Sequence, residues 1–428
     1  MTPELLLIIG LAAIFIIPIA TDLNVGVVAF VVAILLGTLL LDYSGKEILA
    51  GFPGQMFILI VGITLLVAIA QSNGTVEWIV LKLLALAGGK LILLPWLLFI
   101  TAFVASSLGP GAAPILFVIG AGFIKKFKLN PLLVAAMIIH GAQSGAYSPI
   151  APYGVVINQL ATDLSISYSP LSVYLGTVGF HIALVLAVFF LLGGYKLRGQ
   201  TFAGNGEAVF SNVPDNSRMR YLTLAGFATL LVSVIALNIH LGFAALVISF
   251  ILLLFTPKEQ RAESVNNIAW PIVLVISGVL TYVNMIQKAG AIDWLANQVS
   301  QVGSPELIGL FLCYLVSIVT GVASTIGTIG MLVPLSAPFI ITGDLEGTGL
   351  ITAMAISAAI SDISPSSTSG ALFLATVAPV VDKDAVLRSQ VIYTAIAVCF
   401  FRRSPGSYLS LFRILSIGES HERPIQKL

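Results

Sequence analysis

Long apolar runs alternate with short polar breaks along the whole chain. In the first half the runs fall near 5–20, 24–41, 54–72, 131–161 and 171–193. A hydrocarbon core takes roughly 20 apolar residues of helix, so this pattern predicts five spans. Two shorter runs, near 94–107 and 111–124, flank Gly109-Pro110-Gly111. Arms of about 14 residues are short for a crossing, and a smooth helix does not pass through Gly-Pro-Gly. The pair predicts a re-entrant hairpin, entered through a soft amphipathic stretch at Thr75–Ala87. The run near 131–161 is interrupted at Ser148-Pro149. Proline removes a backbone donor and clashes with the preceding turn, and in lipid such a break survives only inside protein or against a cavity.

The second half repeats the pattern. Ser148-Pro149 returns as Ser364-Pro365, 364 − 148 or 216 residues on, and Gly154 returns as Gly370. At the same offset Gly10 matches Gly226, Gly26 matches Gly242, Glu47 matches Glu263, Gly62 matches Gly278, Gly74 matches Gly290 and Trp78 matches Trp294. Ala105-Ser106 matches Ala323-Ser324 with a two-residue slip. Five crossings per half is an odd number, so the second copy is inverted relative to the first. The expected fold is an all-α polytopic membrane protein of two inverted repeats of five spans, each with a re-entrant hairpin and a broken helix. The first repeat covers 1–193, a cytoplasmic linker 194–220, the second repeat 221–401 and an atypical tail 402–428. The last span, Asp384–Phe401, carries Arg388 and stops at Arg402-Arg403-Ser404-Pro405, which suggests a C-terminal helix altered after about Phe401.

Composition and charge place this pattern in lipid. The 428 residues are 58% hydrophobic and 9% charged, with a mean hydropathy of +1.05. Soluble domains carry about 25% charged residues. A net charge of +1 gives no reason to expect nucleic acid. With the N-terminus outside, the inner face collects thirteen Lys and Arg, from Lys82 to Arg388, against Lys46 and Lys288 on the outer loops, as the positive-inside rule requires of the cytoplasmic membrane. No Lys or Arg precedes Leu5–Ala20, so that run reads as a retained span. Cys313 and Cys399 lie in apolar runs and read as core residues. No metalloprotease His-Glu-x-x-His, phosphate-binding loop or nucleotide domain is present. The chain reads as no enzyme, and transport would run on ion gradients or exchange.

The polar residues that remain gather at the breaks. The first hairpin tip holds Ser106, Ser107 and Gly109; the second holds Ser324, Thr325, Gly327 and Thr328. The first break offers Gln143, Ser144, Tyr147, Ser148, Pro149 and Tyr153. The second offers Asp362, Ser364, Pro365, Ser367 and Thr368. Hydroxyls in so apolar a chain are costly unless partnered. With freed carbonyls they can ligate Na⁺ or hydrogen-bond an oxyanion, and half-helix N-termini aimed inward favour an anion without a buried Lys or Arg. The same residues also serve as Ser/Thr helix contacts. The second break, richer in hydroxyls, is the expected coupling-ion site, built from Asp362, Ser364, Thr368, Gly327 and Ser144. Asp362 reads as a Na⁺ ligand, a proton carrier or the N-cap of the next half-helix. His140 reads as a proton shuttle or a structural histidine.

On the motifs Ser106–Gly111, Ser148–Gly154, Ser324–Gly330 and Ser364–Gly370, the chain resembles the ion transporter superfamily. It looks most like the MatC-type dicarboxylate (malonate) carriers, near the divalent anion:sodium symporters. The resemblance runs to about Phe401. It implies a homodimer with a scaffold and a moving part, an elevator-type secondary transporter for a small dicarboxylate such as malonate or succinate, and Na⁺ as a possible coupling ion with no other cofactor. It also implies a substrate site where both hairpin tips meet both broken helices. The symporters carry Ser-Asn-Thr at each tip; here the matching positions read Ser106-Ser107-Leu108 and Ser324-Thr325-Ile326. Citrate, gluconate or another oxyanion, and an anion channel, stay open as alternatives.

Overall fold

The computed structural model describes residues 2–403 apart from 22, 77, 80–81, 83–85, 87, 109–111, 202–216, 238, 300–304, 322–324 and 342–344. The described residues are overwhelmingly helical. Helix ends recur at the 216-residue offset. Helix α2 spans Val25–Leu39 and α11 spans Leu241–Phe255; α4 spans Gly54–Ser72 and α13 spans Trp270–Lys288. The long apolar run near 131–161 divides into α7 (Pro131–Ala146) and α8 (Pro152–Asp163), and its counterpart into α17 (Gly347–Ser361) and α18 (Thr368–Val377). Asn130 caps α7 and Glu346, 216 positions on, caps α17, each accepting from the first helical N–H groups.

The two breaks share one backbone turn. In the first, the Ser148 N–H donates to Gly145 (2.9 Å) and the Ala151 N–H to Ser148 (2.9 Å). In the second, Ser364 donates to Ser361 (3.0 Å) and Ser367 to Ser364 (3.0 Å). A Cβ at Gly154 would strike the Ser148 carbonyl, and one at Gly370 the Ser364 carbonyl. Glycine is needed at both because the returning half-helix lies directly on the turn.

A second symmetric device ties the halves together. Helix α2 crosses α13 where Gly26 faces the Leu274 carbonyl and Gly278 faces the Gly26 carbonyl. Helix α11 crosses α4 in the same way, with Gly242 against Leu59 and Gly62 against the Gly242 carbonyl. Each crossing joins an element of one half to an element of the other. Small residues permit such backbone approach, which is how helices gain packing where lipid offers no hydrophobic drive.

The two predicted hairpin arms are α5 (Leu93–Leu108) and α6 (Ala112–Phe127), which pack on each other and on α7. Their counterparts, α15 (Pro305–Thr320) and α16 (Thr325–Ile341), pack on each other and on α17. The break-bearing elements cross between halves: α18 packs on α6, and α16 on α8. One apolar core joins α5, α6 and α7 to α18 through Phe117, Val134, Phe373 and Val377. Another joins α4, α8, α11, α13, α16 and α17. Helix α9 (Pro170–Leu191) shows Leu171, Leu175, Leu186 and Phe190 outward, and α11 shows Phe243, Val247, Phe250 and Leu254. Such faces suit acyl chains.

Among the described residues, three stretches are long and apolar enough to cross a membrane by length and composition: Gly54–Ser72, Pro170–Leu191 and Lys258–Lys288. The sequence pattern predicts more full-length spans than this. Helices α2 and α11, at 15 residues each, rise about 22 Å against a core of ~30 Å. Asn24, the first residue of its run, caps α2 by accepting from the Gly26 N–H at 2.9 Å. The linker is also shorter than 194–220. A 3-10 turn occupies Gly194–Leu197, and α10 (Ser217–Ile235) starts within the expected loop, anchored by buried Met219. An antiparallel bridge pairs Lys90 with Thr201. The last helix, α19, covers Lys383–Arg403 with Arg388 exposed, and the tail beyond it lies outside the described residues.

Candidate functional site

Asp362 ends α17 at the second break and is 2% exposed. Its Oδ2 accepts from Gln143 Nε2, which reaches across from α7, and from Ser369 Oγ at 2.6 Å. This pair joins the two broken segments. Tyr147, at the end of α7, donates its hydroxyl to the Ala355 carbonyl of α17 at 2.9 Å. Its ring meets Tyr153 of α8 edge-on at 5.4 Å. Tyr153 lies beside Gln143 and Thr325, the first residue of α16. Thr325 Oγ1 and Gln143 Oε1 are buried without a close hydrogen-bond partner, and their polar neighbour is the Tyr153 hydroxyl. Polar atoms left in that state are ones a ligand could engage.

The second break is closed by its own side chains. Ser367, not Asp362, is the N-cap of α18: its Oγ accepts from the Gly370 N–H at 3.1 Å. Asp362 adds to this cap, since its carboxyl also meets the Ser369 backbone N–H in the first turn of α18. The carboxylate lies six residues before Thr368 and turns toward α7, whereas Ser367 sits at the helix start with extended backbone. The Ser367 hydroxyl also shares its proton between the carbonyls of Asp362 (2.7 Å) and Ser364 (2.8 Å). Gln390 of α19 donates to the carbonyls of Ile363 and Gly370, both at 3.1 Å. Ser367→Ala is expected to lower stability by about 1 kcal/mol, read as an earlier thermal midpoint; an unshifted midpoint would contradict the capping geometry.

The remaining candidates divide by place. Thr328 is buried in α16, and Gly327 precedes it in that helix. Ser364 is buried, its Oγ accepting from the Ser366 N–H at 3.3 Å. Ser144 is buried on α7 but donates back to the His140 carbonyl at 2.6 Å. Ser107 does the same to Phe103 at 2.8 Å. Ser106 and Ser148 are buried, whereas Pro149 and Thr368 are exposed and Pro365 half-buried. A Cβ at Gly145 would meet the Ser107 backbone, so the end of the first arm closes on α7 two residues from Gln143. Gly109 and Ser324 lie outside the described residues. His140 is fully buried, with Nε2 2.6 Å from the Tyr393 hydroxyl and its ring stacked 5.1 Å from His181. No group of three or more His, Cys, Asp or Glu side chains that could hold a metal occurs among the described residues.

Sequence reasoning underrated Gln143 and missed Ser369 and Gln390. A signal existed for Gln390, which is an amide within an apolar run. Its partners, the carbonyls of Gly370 and Ile363, 20 and 27 positions away, are set only by the chain's return.

Residues 1–146 match the family described as "Dicarboxylate carrier protein MatC N-terminus". No curated protein matches the chain by sequence. Two solved structures share the fold over nearly its full length. MtrF of Neisseria gonorrhoeae, described with a class of antimetabolite efflux pumps, has a TM-score of 0.55 and 13% identity, covering 97% of this chain and 95% of its own. The YdaH transporter of Alcanivorax borkumensis, described as having an unusual topology, has a TM-score of 0.58 and 12% identity, covering 96% and 99%. The family match and the fold make the chain a multi-pass membrane transporter and not an enzyme.

Proposed function

We propose that this protein is a secondary transporter that carries a small dicarboxylate, of the malonate or succinate class, across the cytoplasmic membrane, coupled to Na⁺ or H⁺. The observation that carries the reading is the meeting of both broken segments and the start of α16 around one buried polar cluster. Three helices begin beside it: α8 at Pro152, α16 at Thr325 and α18 at Thr368. Their positive dipole ends favour an anion. Thr325 and Gln143 supply side-chain contacts, with Ser106, Ser107 and Thr328 near the two arms. The carboxylate class follows from the family matched by residues 1–146.

The glycine crossings α2–α13 and α4–α11 would form the fixed frame. The hairpins and broken helices would move against it, as an elevator does, in a homodimer with the N-terminus outside. In liposomes loaded with unlabelled malonate or succinate, labelled substrate outside is expected to accumulate transiently by counterflow. A channel gives no trans-acceleration. Flux that is linear and indifferent to internal substrate would remove the carrier reading, and counterflow with only citrate or gluconate would move the substrate class.

A further inference from the structure

The two repeats place the same backbone turn after α4 and after α13, and dress it with opposite charge. Gly74 and Gly290 both take the left-handed conformation, with φ of 75° and 76°. The Trp78 N–H donates to the Gly74 carbonyl and the Trp294 N–H to the Gly290 carbonyl, both at 3.0 Å. Around Trp78, residues 75–90 and 217–220 carry four cations and one acid, Lys82, Lys90, Arg218, Arg220 and Glu77, a net side-chain charge of +3. At the echoed positions, 291–306 and 1–4, stand Gln298, Glu306, Thr2, Glu4 and Asp293, three acids and no cation, a net −3. The fold uses this turn twice, so the turn itself does not require the cations.

Two of these cations share one aromatic ring. The Lys82 ammonium lies 5.9 Å and the Arg220 guanidinium 5.4 Å from the centroid of Trp78. Lys82 is exposed, whereas Arg220 and Trp78 are half-buried. The ring attracts each cation, but the two like charges repel, and an anion between them lowers that cost. The place is also held in shape. Asn73, at the end of α4, donates through Nδ2 to Thr223 Oγ1 of α10 at 2.8 Å, and its Oδ1 accepts from the Thr75 N–H at 3.1 Å. Thr223 lies one turn beyond Arg220 in α10. Ala289 and Leu7 stand at the echoed positions, so the other copy of the turn has no side chains to make this tether.

Charge that only sets orientation acts from any short loop near a span and needs neither ring nor tether. A fixed pair of cations on a tryptophan matches a lipid headgroup. An indole ring favours headgroup depth, where one end is apolar and the other wet. A guanidinium can meet a phosphate through two parallel N–H donors, and an ammonium adds a compact point charge. Lys90, exposed on the same stretch and bridged through its backbone to Thr201, strengthens the positive field.

We propose that Lys82, Arg220 and Trp78 bind the headgroup phosphate of an anionic phospholipid, of the phosphatidylglycerol kind, in the leaflet that meets the Trp78 end of the bundle. The orientation proposed above makes that the cytoplasmic leaflet. Phosphatidylcholine carries the same phosphate, but its quaternary ammonium is repelled by these cations, so the site discriminates by headgroup charge. The bound lipid touches the stretch after α4 and the start of α10 together, and so fastens one element of each repeat. The inference stands whatever solute the protein carries.

Native mass spectrometry of the full chain, extracted in neutral detergent and mixed with equal amounts of phosphatidylglycerol and phosphatidylcholine, should show phosphatidylglycerol retained in preference. Lys82→Gln with Arg220→Gln should lower that preference at least about fivefold. Lys125→Gln with Lys126→Gln removes the same charge from the end of α6 and should leave the preference within about twofold. No preference in the unmodified protein, no fall in the first pair, or an equal fall in both pairs would overturn the proposal. If the first pair does not fold, Lys82→Gln alone decides, since that side chain is exposed; the preference should fall at least about twofold, and an unchanged value refutes the site. Inorganic phosphate at millimolar concentration should not displace the lipid, whose acyl chains add apolar burial. Displacement would make this a free-anion site and overturn the lipid assignment.

Discussion

Thr325→Val raises the KM for the transported dicarboxylate by about 10–100-fold and leaves the protein as stable as before, or more so by up to about 1 kcal/mol. The two signs follow from one observation. Thr325 Oγ1 is buried, on a residue 2% exposed, and has no close hydrogen bond, its polar neighbour being the Tyr153 hydroxyl. A hydroxyl in that state costs the fold its desolvation and returns little. Removing it while keeping the side chain's shape spares the folded protein that cost. A substrate carboxylate that accepts from this hydroxyl loses a charge-assisted contact. A purely structural role predicts the opposite pairing, with stability falling and KM unmoved. Uptake kinetics and a thermal-unfolding midpoint on the same preparation separate the two, and a KM within twofold of the unmodified protein would remove Thr325 from the site.

Gly278→Val costs about 2–3 kcal/mol and is expected to abolish most folded, membrane-inserted protein. A side chain there would drive into the Gly26 carbonyl, and backbone cannot yield as a flexible side chain can. By the same symmetry Gly62→Val, which meets the Gly242 carbonyl, should cost a similar amount. Gly179→Val is the control: it lies on α9 with open space around its Cβ position, and should change stability by less than about 0.5 kcal/mol. Monodisperse yield after detergent extraction reads all three. If Gly278→Val matched the control, the close α2–α13 crossing would not be what fastens the halves.

Much of the fold was legible from spacing. The echo of Ser148-Pro149 in Ser364-Pro365 anticipated two turns with matching hydrogen bonds, and the glycines at 26, 62, 242 and 278 proved to be contact points of paired crossings. Less legible were helix ends and lengths. Helix α2 ends at Leu39, two residues before the apolar run does, and Met219 draws a polar segment into α10. Both outcomes depend on what lies alongside.

The sequence alone determined the solvent, the period and the points of interruption. Hydropathy measures transfer out of water residue by residue, and proline and glycine act on their own backbone, so neither needs a partner to be recognised. It also marked Asp362 as a buried acid in an apolar chain. Only the tertiary structure decided what that acid faces. Gln143 lies 219 positions away and Gln390 sits on another helix; Ser367 and Gln390 between them donate to the carbonyls around the break. Hydrogen bonds act over about 3 Å, and only the folded chain brings residues so far apart in sequence within that range.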